Sequence, residues 1–323
     1  MATVAINVVL RQTCLMAGDE LYAKILLDTA ELSTFVQEFY ADVDGIARTG
    51  WINIHTDKIF ETGKQYLSAH IPLLASGTCL REGRHQFPIN VVIPDYAPSS
   101  YESQFGSVRY TIKVILKTKS EQSSITEVFP FLVVARSFLD DLPAKMLRQL
   151  DFNDQVDFTC CTFPFGRVFV RIVMPRTAFA IGEEFRCSIF VRNAMRKTLK
   201  ECCVSVIMKT QFEAMSRYER LNEKKLLEQI IESVNLGKAK RKSQTAFEDQ
   251  LLKIPETIPP TQHHNKDSVE PNIIALSYVL KFTALPGIEM ELPIVLTART
   301  QHVASGNGFF AGTNCVSEDA AYL

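Results

Sequence analysis

A chain of 323 residues is long for one antiparallel sandwich and sufficient for two domains with a core each. The composition is that of a globular protein, and 35 basic against 36 acidic residues leave a formal charge of −1. Such a balance provides no overall field for nucleic acid or an anionic membrane, so any contact of that kind has to be local. No apolar run reaches the roughly 18 residues that span a bilayer, and the first residues lack the basic and apolar regions of a signal peptide. We therefore expect a cytoplasmic protein whose eight cysteines stay reduced.

Alternation of apolar and polar residues dominates the first half of the chain. It begins at Val4–Leu10, returns at Leu21–Leu27 and is clearest at Val108–Leu116. In the last segment Arg109 and Lys113 lie on the polar face. The opposite face collects Val108, Tyr110, Ile112, Val114 and Leu116. Only a strand gathers these residues on one side, so we predict that this apolar face is buried and the polar one solvated.

The second half shows the same alternation. It is seen in Val168–Met174, Phe185–Val191 and Tyr278–Phe282. Many short half-buried strands with few helical patterns between them predict an all-β fold of antiparallel sandwiches.

Three segments are ambiguous between helix and strand. Local propensity favours helix in Ala30–Tyr40, Leu139–Leu150 and Tyr218–Ser233. Tertiary pairing often overrides such propensity, and Leu226–Val234 fits a strand as well as a helix.

The chain is predicted to divide near residue 140. The strand pattern stops after Val134 and resumes after Phe158, with charged residues and Pro143 between them. We expect a first sandwich at residues 1–137, a junction at 138–153, a second sandwich at 154–301 and a short flexible tail at 302–323. The acidic turns that begin at Gly18 and Gly182 each lead into an alternating strand, which indicates a domain-sized repeat.

A block in the first half resembles a known family. It reads Gly83-Arg84-His85-Gln86-Phe87-Pro88, Ile93-Pro94, Pro98-Ser99-Ser100-Tyr101 and Gly106-Ser107-Val108-Arg109-Tyr110. In order and spacing this block is similar to the α-arrestins, or arrestin-domain-containing proteins. Weaker similarities extend it over roughly residues 4–300, among them Pro175–Glu183 and Leu292–Val295. The resemblance implies two tandem antiparallel Ig-like β-sandwich domains, the arrestin fold.

The sequence departs from the family pattern in its turns and its tail. Ala17 and Ile181 replace the proline of both P-G-E turns. No P-P-x-Y motif occurs in the sequence, and Pro259-Pro260 is followed by Thr261-Gln262. Family members recruit ubiquitin ligases through such motifs, so no direct WW-domain ligase is expected as a partner.

The sequence offers no catalytic, metal or cofactor-binding constellation. The six histidines include no metalloprotease pair or nucleophile elbow, and we expect His85 to make a local hydrogen bond. Adjacent cysteines, as at 160–161 and 202–203, point to opposite faces of a strand and chelate one ion poorly. Cys202 is expected to pack in the core instead.

The one sharp charge cluster follows Gly237. It consists of Lys238, Lys240, Arg241 and Lys242, and it is predicted to lie on a hairpin or a strand edge. Lysines on edge strands prevent aggregation, which is one interpretation. A contact with a lipid phosphate or phosphorylated cargo is a second, and a nuclear signal is a third.

The resemblance implies a non-enzymatic adaptor in membrane-protein trafficking. Its expected partners are membrane-protein cargo or sorting machinery in endocytosis or endosomal sorting. Peripheral contact with the plasma membrane or endosomes is compatible with the basic cluster, and no nucleic acid, cofactor or metal is expected. The alternative is a constitutive subunit of a retromer-like sorting coat. An enzyme on a sandwich scaffold is a third class, which no set of residues supports.

Overall fold

The computed structural model describes residues 4–119, 124–160, 163–219, 221–262 and 272–299, so the predicted tail lies outside it. The first half forms β1 (Val4–Leu10), β2 (Cys14–Met16), β3 (Glu20–Asn53), β4 (Lys58–Leu74), β5 (Cys79–Val92), β6 (Tyr101–Ser103), β7 (Gly106–Thr118) and β8 (Ile125–Val134). The second half forms β9 (Leu150–Cys160), β10 (Phe163–Met174), β11 (Ala178–Ala180), β12 (Glu184–Asn193), β13 (Leu199–Ser216), β14 (Asn222–Ala239), β15 (Ser243–Lys253), β16 (Ile274–Leu285) and β17 (Ile288–Thr297). The predicted all-β fold of tandem sandwiches is confirmed.

The first sandwich is organised by the 34-residue strand β3. Its first part pairs with β1 and β5, and its second part pairs with β4 and β7. The register with β5 shifts between Thr29 and Ser33, where the strand passes from one sheet to the other. One strand therefore contributes to both layers, and β6, β8 and β2 complete the second layer.

The predicted register of β7 is confirmed. Tyr110, Ile112 and Val114 are at most 1% exposed, whereas Arg109 and Lys113 are exposed. A one-residue slip would have exchanged the two faces, because side chains alternate with a period of two.

The second sandwich consists of a four-stranded sheet, β15-β12-β10-β9, and a sheet in the order β11-β17-β16-β13-β14. All of these pairs are antiparallel except the short pair of β11 with β17. The end of β13 also pairs with β4, through Met215 opposite Glu61 and Ser216 opposite Phe60. Main-chain pairing therefore continues from the second sandwich into the first.

Tertiary pairing decides two of the three ambiguous segments in favour of strand. Ala30–Tyr40 lies within β3, and most of Tyr218–Ser233 lies within β14. The third segment forms two short 3₁₀ turns, Leu139–Asp141 and Ala144–Leu147. The apolar residues of β14 have a helix-like spacing because they occupy both faces of the strand. Leu226 and Ile230 are exposed, whereas Leu227 and Ile231 are half-buried.

Two hydrophobic clusters fill the two sandwiches. The first draws mainly on β1 to β8 and the second on β10 to β17. Four side chains of the second half belong to the first cluster: Phe212, Ala214, Ile273 and Ile274. The exact division at residues 137 and 153 stays a prediction, and β9 already begins at Leu150.

Each sandwich contains the same buried tyrosine contact. The hydroxyl of Tyr110 donates to the carbonyl of Pro98 at 2.7 Å, and that of Tyr278 donates to the carbonyl of Pro259 at 2.6 Å. Two residues after each proline, a main-chain N–H donates to the neighbouring strand. Ser100 donates to the carbonyl of Val133 on β8, and Thr261 donates to the carbonyl of Leu296 on β17. These hydrogen bonds hold the segment that contains each proline against the sheet, in the same way in both halves.

The two acidic turns are also equivalent in structure. Asp19 accepts a hydrogen bond from the N–H of Met16, and Glu183 accepts one from the N–H of Ala180. Gly18 and Gly182 have φ of +92° and +79°, a conformation that glycine adopts without steric cost. The repeat inferred from the sequence is thus present as a repeated set of hydrogen bonds.

Candidate functional site

The basic residues lie at one end of the second sandwich. Lys238 is on β14, and Lys240–Lys242 form the turn between β14 and β15. Because β14 pairs with β13 and β15 pairs with β12, this turn crosses from one sheet to the other and is not a hairpin within a sheet. The four cations therefore cap the gap between the two layers.

Local hydrogen bonds hold the basic turn in place. Lys242 adopts a φ of +49°, and its N–H donates to the carbonyl of Met195 at 3.2 Å. The side chain of Asn193, which is 1% exposed, donates to the carbonyls of Lys197 at 2.9 Å and Ala239 at 3.3 Å. A buried amide thus ties the turn to the loop between β12 and β13.

This arrangement adds cations that the sequence analysis missed. Arg196 and Lys197 lie in the adjoining loop, next to Met195, and both are exposed. Among the described residues, no carboxylate pairs with Lys238, Lys240, Arg241, Lys242 or Arg196. The loop after β12 and the turn after β14 lie together only because of the order of the strands. In the sequence, Arg196 and Lys197 are visible only as a basic pair after an alternating strand. We call the set Arg196, Lys197, Lys238, Lys240, Arg241 and Lys242 the basic end.

The basic end can attract anions only over a short range. The formal charge of the chain is close to zero, and a field of this kind is screened beyond about 8 Å at physiological ionic strength. Lysine and arginine side chains suit phosphate groups, which they contact as point charges or bidentate forks. These side chains therefore offer an electrostatic contact with an anionic group at short range.

The thiols and the histidine considered earlier have structural environments. Burial raises the pKa of the Cys187 thiol to about 12 and also raises that of Cys202, which is fully buried beside Val204. A ring nitrogen of His85 lies 2.9 Å from the carbonyl of Arg81, the local hydrogen bond that was expected. In the described part of the chain no group of three or more His, Cys, Asp or Glu residues could hold a metal ion.

Direct hydrogen bonds join the two sandwiches. Glu223 of β14 accepts from the indole nitrogen of Trp51 and from the amide of Asn53, both at 3.0 Å. The hydroxyl of Thr49 donates to the carbonyl of Glu213 at 2.7 Å. Together with the pairing of β13 and β4, these contacts join β13 and β14 of the second sandwich to the first sandwich.

Two sandwiches of the same internal design, joined through β13 and β4, correspond to a known class of scaffold. A family model described as arrestin (or S-antigen), N-terminal domain, matches residues 4–136, and one described as arrestin (or S-antigen), C-terminal domain, matches residues 164–300.

Curated relatives agree with these matches. The chain is 53% identical to Arrestin domain-containing protein 15 of Caenorhabditis elegans over 92% of this chain and 80% of that protein. It is 23% identical to Arrestin domain-containing protein 17 of the same organism, over 87% of this chain and 66% of that protein. It is also 23% identical to human Arrestin domain-containing protein 5, over 54% of this chain and 48% of that protein. The chain belongs to the arrestin family, among its arrestin-domain-containing or α-arrestin members.

Family membership carries a general role. Arrestin-family proteins act as adaptors in trafficking, in general without enzymatic activity, and this chain has the corresponding two domains. Within the described residues, no helix is long and apolar enough to cross a membrane.

Proposed function

We propose that this chain is an adaptor that selects membrane-protein cargo for endocytosis or endosomal sorting, and that its basic end makes a peripheral contact with anionic lipid headgroups. The observation that supports the proposal is the basic end itself, an exposed group of cations on two sandwiches joined by strand pairing and hydrogen bonds. Juxtamembrane cations contribute about 1 kcal/mol each at an anionic leaflet. Several of them at one end of a neutral protein suffice for weak, reversible binding.

Liposome binding tests the lipid contact. The variant replaces four cations by glutamine: Lys238, Lys240, Arg241 and Lys242. We expect the wild type to bind phosphoinositide vesicles at low ionic strength, and the variant to bind at least about tenfold more weakly. Raising the salt concentration should weaken the wild type strongly and the variant little.

A matched control removes four exposed cations from other strands. It replaces Lys24, Arg81, Lys113 and Arg186 by glutamine. This variant has the same net charge as the first but an intact basic end, so it should bind as the wild type does. If the wild type fails to bind at low ionic strength, the lipid contact is wrong, and protection of the strand edge becomes the favoured interpretation of the basic residues.

Recruitment of a ubiquitin ligase by a WW domain is not part of the proposed function. WW domains bind proline-rich segments in an exposed, polyproline-like form. The Pro259-Pro260 pair is buried, and the Pro259 carbonyl accepts the hydroxyl of Tyr278. Titration of isolated WW domains against the full chain should give no binding tighter than about 100 μM. Tighter binding that is lost on Pro260→Ala would show that this loop opens, and would contradict the proposal.

Proximity labelling and affinity purification from native cells distinguish an adaptor from a coat subunit. An adaptor should label many membrane proteins and recover each of them in substoichiometric amounts. Recovery of the same partners in fixed ratios would instead favour a constitutive subunit of a retromer-like coat. The two outcomes do not depend on the lipid contact, so each part of the proposal can fail separately.

A further inference from the structure

Strand β14 leaves a long edge unpaired. It has 18 residues, and among the described strands only β13 pairs with it. The register from Asn222 to Ile230 is regular, and the first shift comes after that, opposite Val206 and Ile207. An exposed edge of this length is a template for another strand.

Two hydrogen bonds show which residues present their main chain to this edge. The N–H of Ser216 donates to the carbonyl of Leu221, so the main chains of these two residues face each other across the β13–β14 ladder, while the N–H of Leu221 donates to Glu219. The N–H of Glu213 instead donates to Ile273, on the opposite side of β13. Because bonded and non-bonded pairs alternate in an antiparallel ladder, every second residue of β14 points its N–H and C=O outwards. These residues are Asn222, Lys224, Leu226, Glu228 and Ile230.

The outward residues also carry exposed side chains of mixed character. Leu226 and Ile230 are 57% and 65% exposed. Both charged residues form ion pairs with β13: Lys224 with Glu213 at 3.5 Å, and Glu228 with Lys209 at 3.1 Å. The edge therefore has an apolar centre with one cation and one anion, each two residues away from Leu226.

We propose that β14 pairs with β14 of a second copy of this chain, antiparallel and with Leu226 on the two-fold axis. In this register Lys224 of each copy lies opposite Glu228 of the other, and the two Leu226 side chains meet. Opposite charges directly across an antiparallel pair stabilise it, as do apolar pairs. About ten main-chain hydrogen bonds would form, a number typical of a specific interface.

The charges on this edge favour a second copy as the partner and favour one register over the others. A symmetric pairing centred on Glu228 places two carboxylates against each other, and one centred on Lys224 places two ammonium groups together. Centring on Leu226 is the symmetric register within Asn222–Ile230 that sets Lys224 opposite Glu228. The charges then alternate across four strands as Glu213, Lys224, Glu228 and Lys209, the last two from the second copy. An edge lysine, which normally discourages pairing, here has an acidic partner.

Charge reversal in the full chain tests the proposal. The single variants are Lys224→Glu and Glu228→Lys, and the matched control is Lys113→Glu on the exposed face of β7. Sedimentation equilibrium over roughly 1–100 μM should show a dimer for the wild type and the control, and dissociation constants raised about tenfold or more for either variant. Each variant brings like charges together twice in its own dimer. Circular dichroism of each variant confirms that it is folded.

The decisive measurement mixes the two variants. In a mixed dimer the glutamate introduced in one copy faces the lysine introduced in the other, and the second charge pair joins the native Lys224 and Glu228. Association should therefore return to near the wild-type strength. A wild type that is monomeric over the whole range overturns the proposal. Variants that associate as tightly as the wild type, or a mixture that does not recover, overturn it as well. The lipid contact does not depend on this interface, because Lys238–Lys242 lie beyond the paired segment.

Discussion

Removal of the Tyr110 ring should strongly destabilise the first sandwich. The ring is 1% exposed, contacts Phe131 with centroids 5.8 Å apart and donates its hydroxyl to Pro98. Tyr110→Ala removes an aromatic side chain from a packed core, which costs about 3–5 kcal/mol. Tyr110→Phe keeps the ring and leaves the carbonyl of Pro98 without its donor, which costs about 1–3 kcal/mol. The difference between the variants measures the contribution of the ring.

Urea unfolding followed by tryptophan fluorescence is a suitable assay, since the single tryptophan, Trp51, lies in the first sandwich. The matched variant in the other half is Tyr278→Phe, which removes the equivalent bond to Pro259. Tyr278→Phe should lower the free energy of unfolding, followed by far-ultraviolet circular dichroism, by about as much as Tyr110→Phe does. A cost below about 1 kcal/mol for Tyr110→Ala would refute the reasoning, because it would mean that the side chain does not fill the core.

Three further changes follow from individual contacts. Gly45→Ala should destabilise the first sandwich by about 1–3 kcal/mol in the same fluorescence assay, because the added methyl group would overlap the ring of Tyr110. Glu223→Ala removes both side-chain bonds to β3, so calorimetry should show a less cooperative transition in which the two sandwiches separate. The hydrogen bond from Lys209 holds the pKa of Glu291 below its usual range, so its stabilisation is present above about pH 4.5 and is lost as the pH falls. Glu291→Gln should therefore flatten the loss of stability between about pH 5 and 3 in denaturant titrations.

Alternation in the sequence predicted what depends on a single strand. The buried face of β7 follows from the period of two, and the division into two sandwiches follows from where that pattern stops. The equivalent turns at Gly18 and Gly182 were also visible, because glycine and a carboxylate at fixed spacing form a local structure.

Properties that depend on pairing between distant strands could not be predicted in this way. Leu226–Val234 has helical spacing, and only its partner β13 makes it a strand. Arg196 joins the basic end because Asn193 ties two loops that are more than 40 residues apart in the sequence. Likewise, Tyr110 and Tyr278 reach the carbonyls of Pro98 and Pro259 because of the path that the segments containing these prolines take, which local composition does not specify.

The sharing of core residues between the halves has a consequence for synthesis on the ribosome. The first sandwich has all its own strands once Val134 is made, but Phe212, which belongs to its core, follows about 80 residues later. At ~5–20 residues per second this delay lasts roughly 4–16 s. During that interval an apolar face of the nascent first half stays open to chaperones or to other nascent chains. A fragment that ends at the junction would keep that face uncovered permanently.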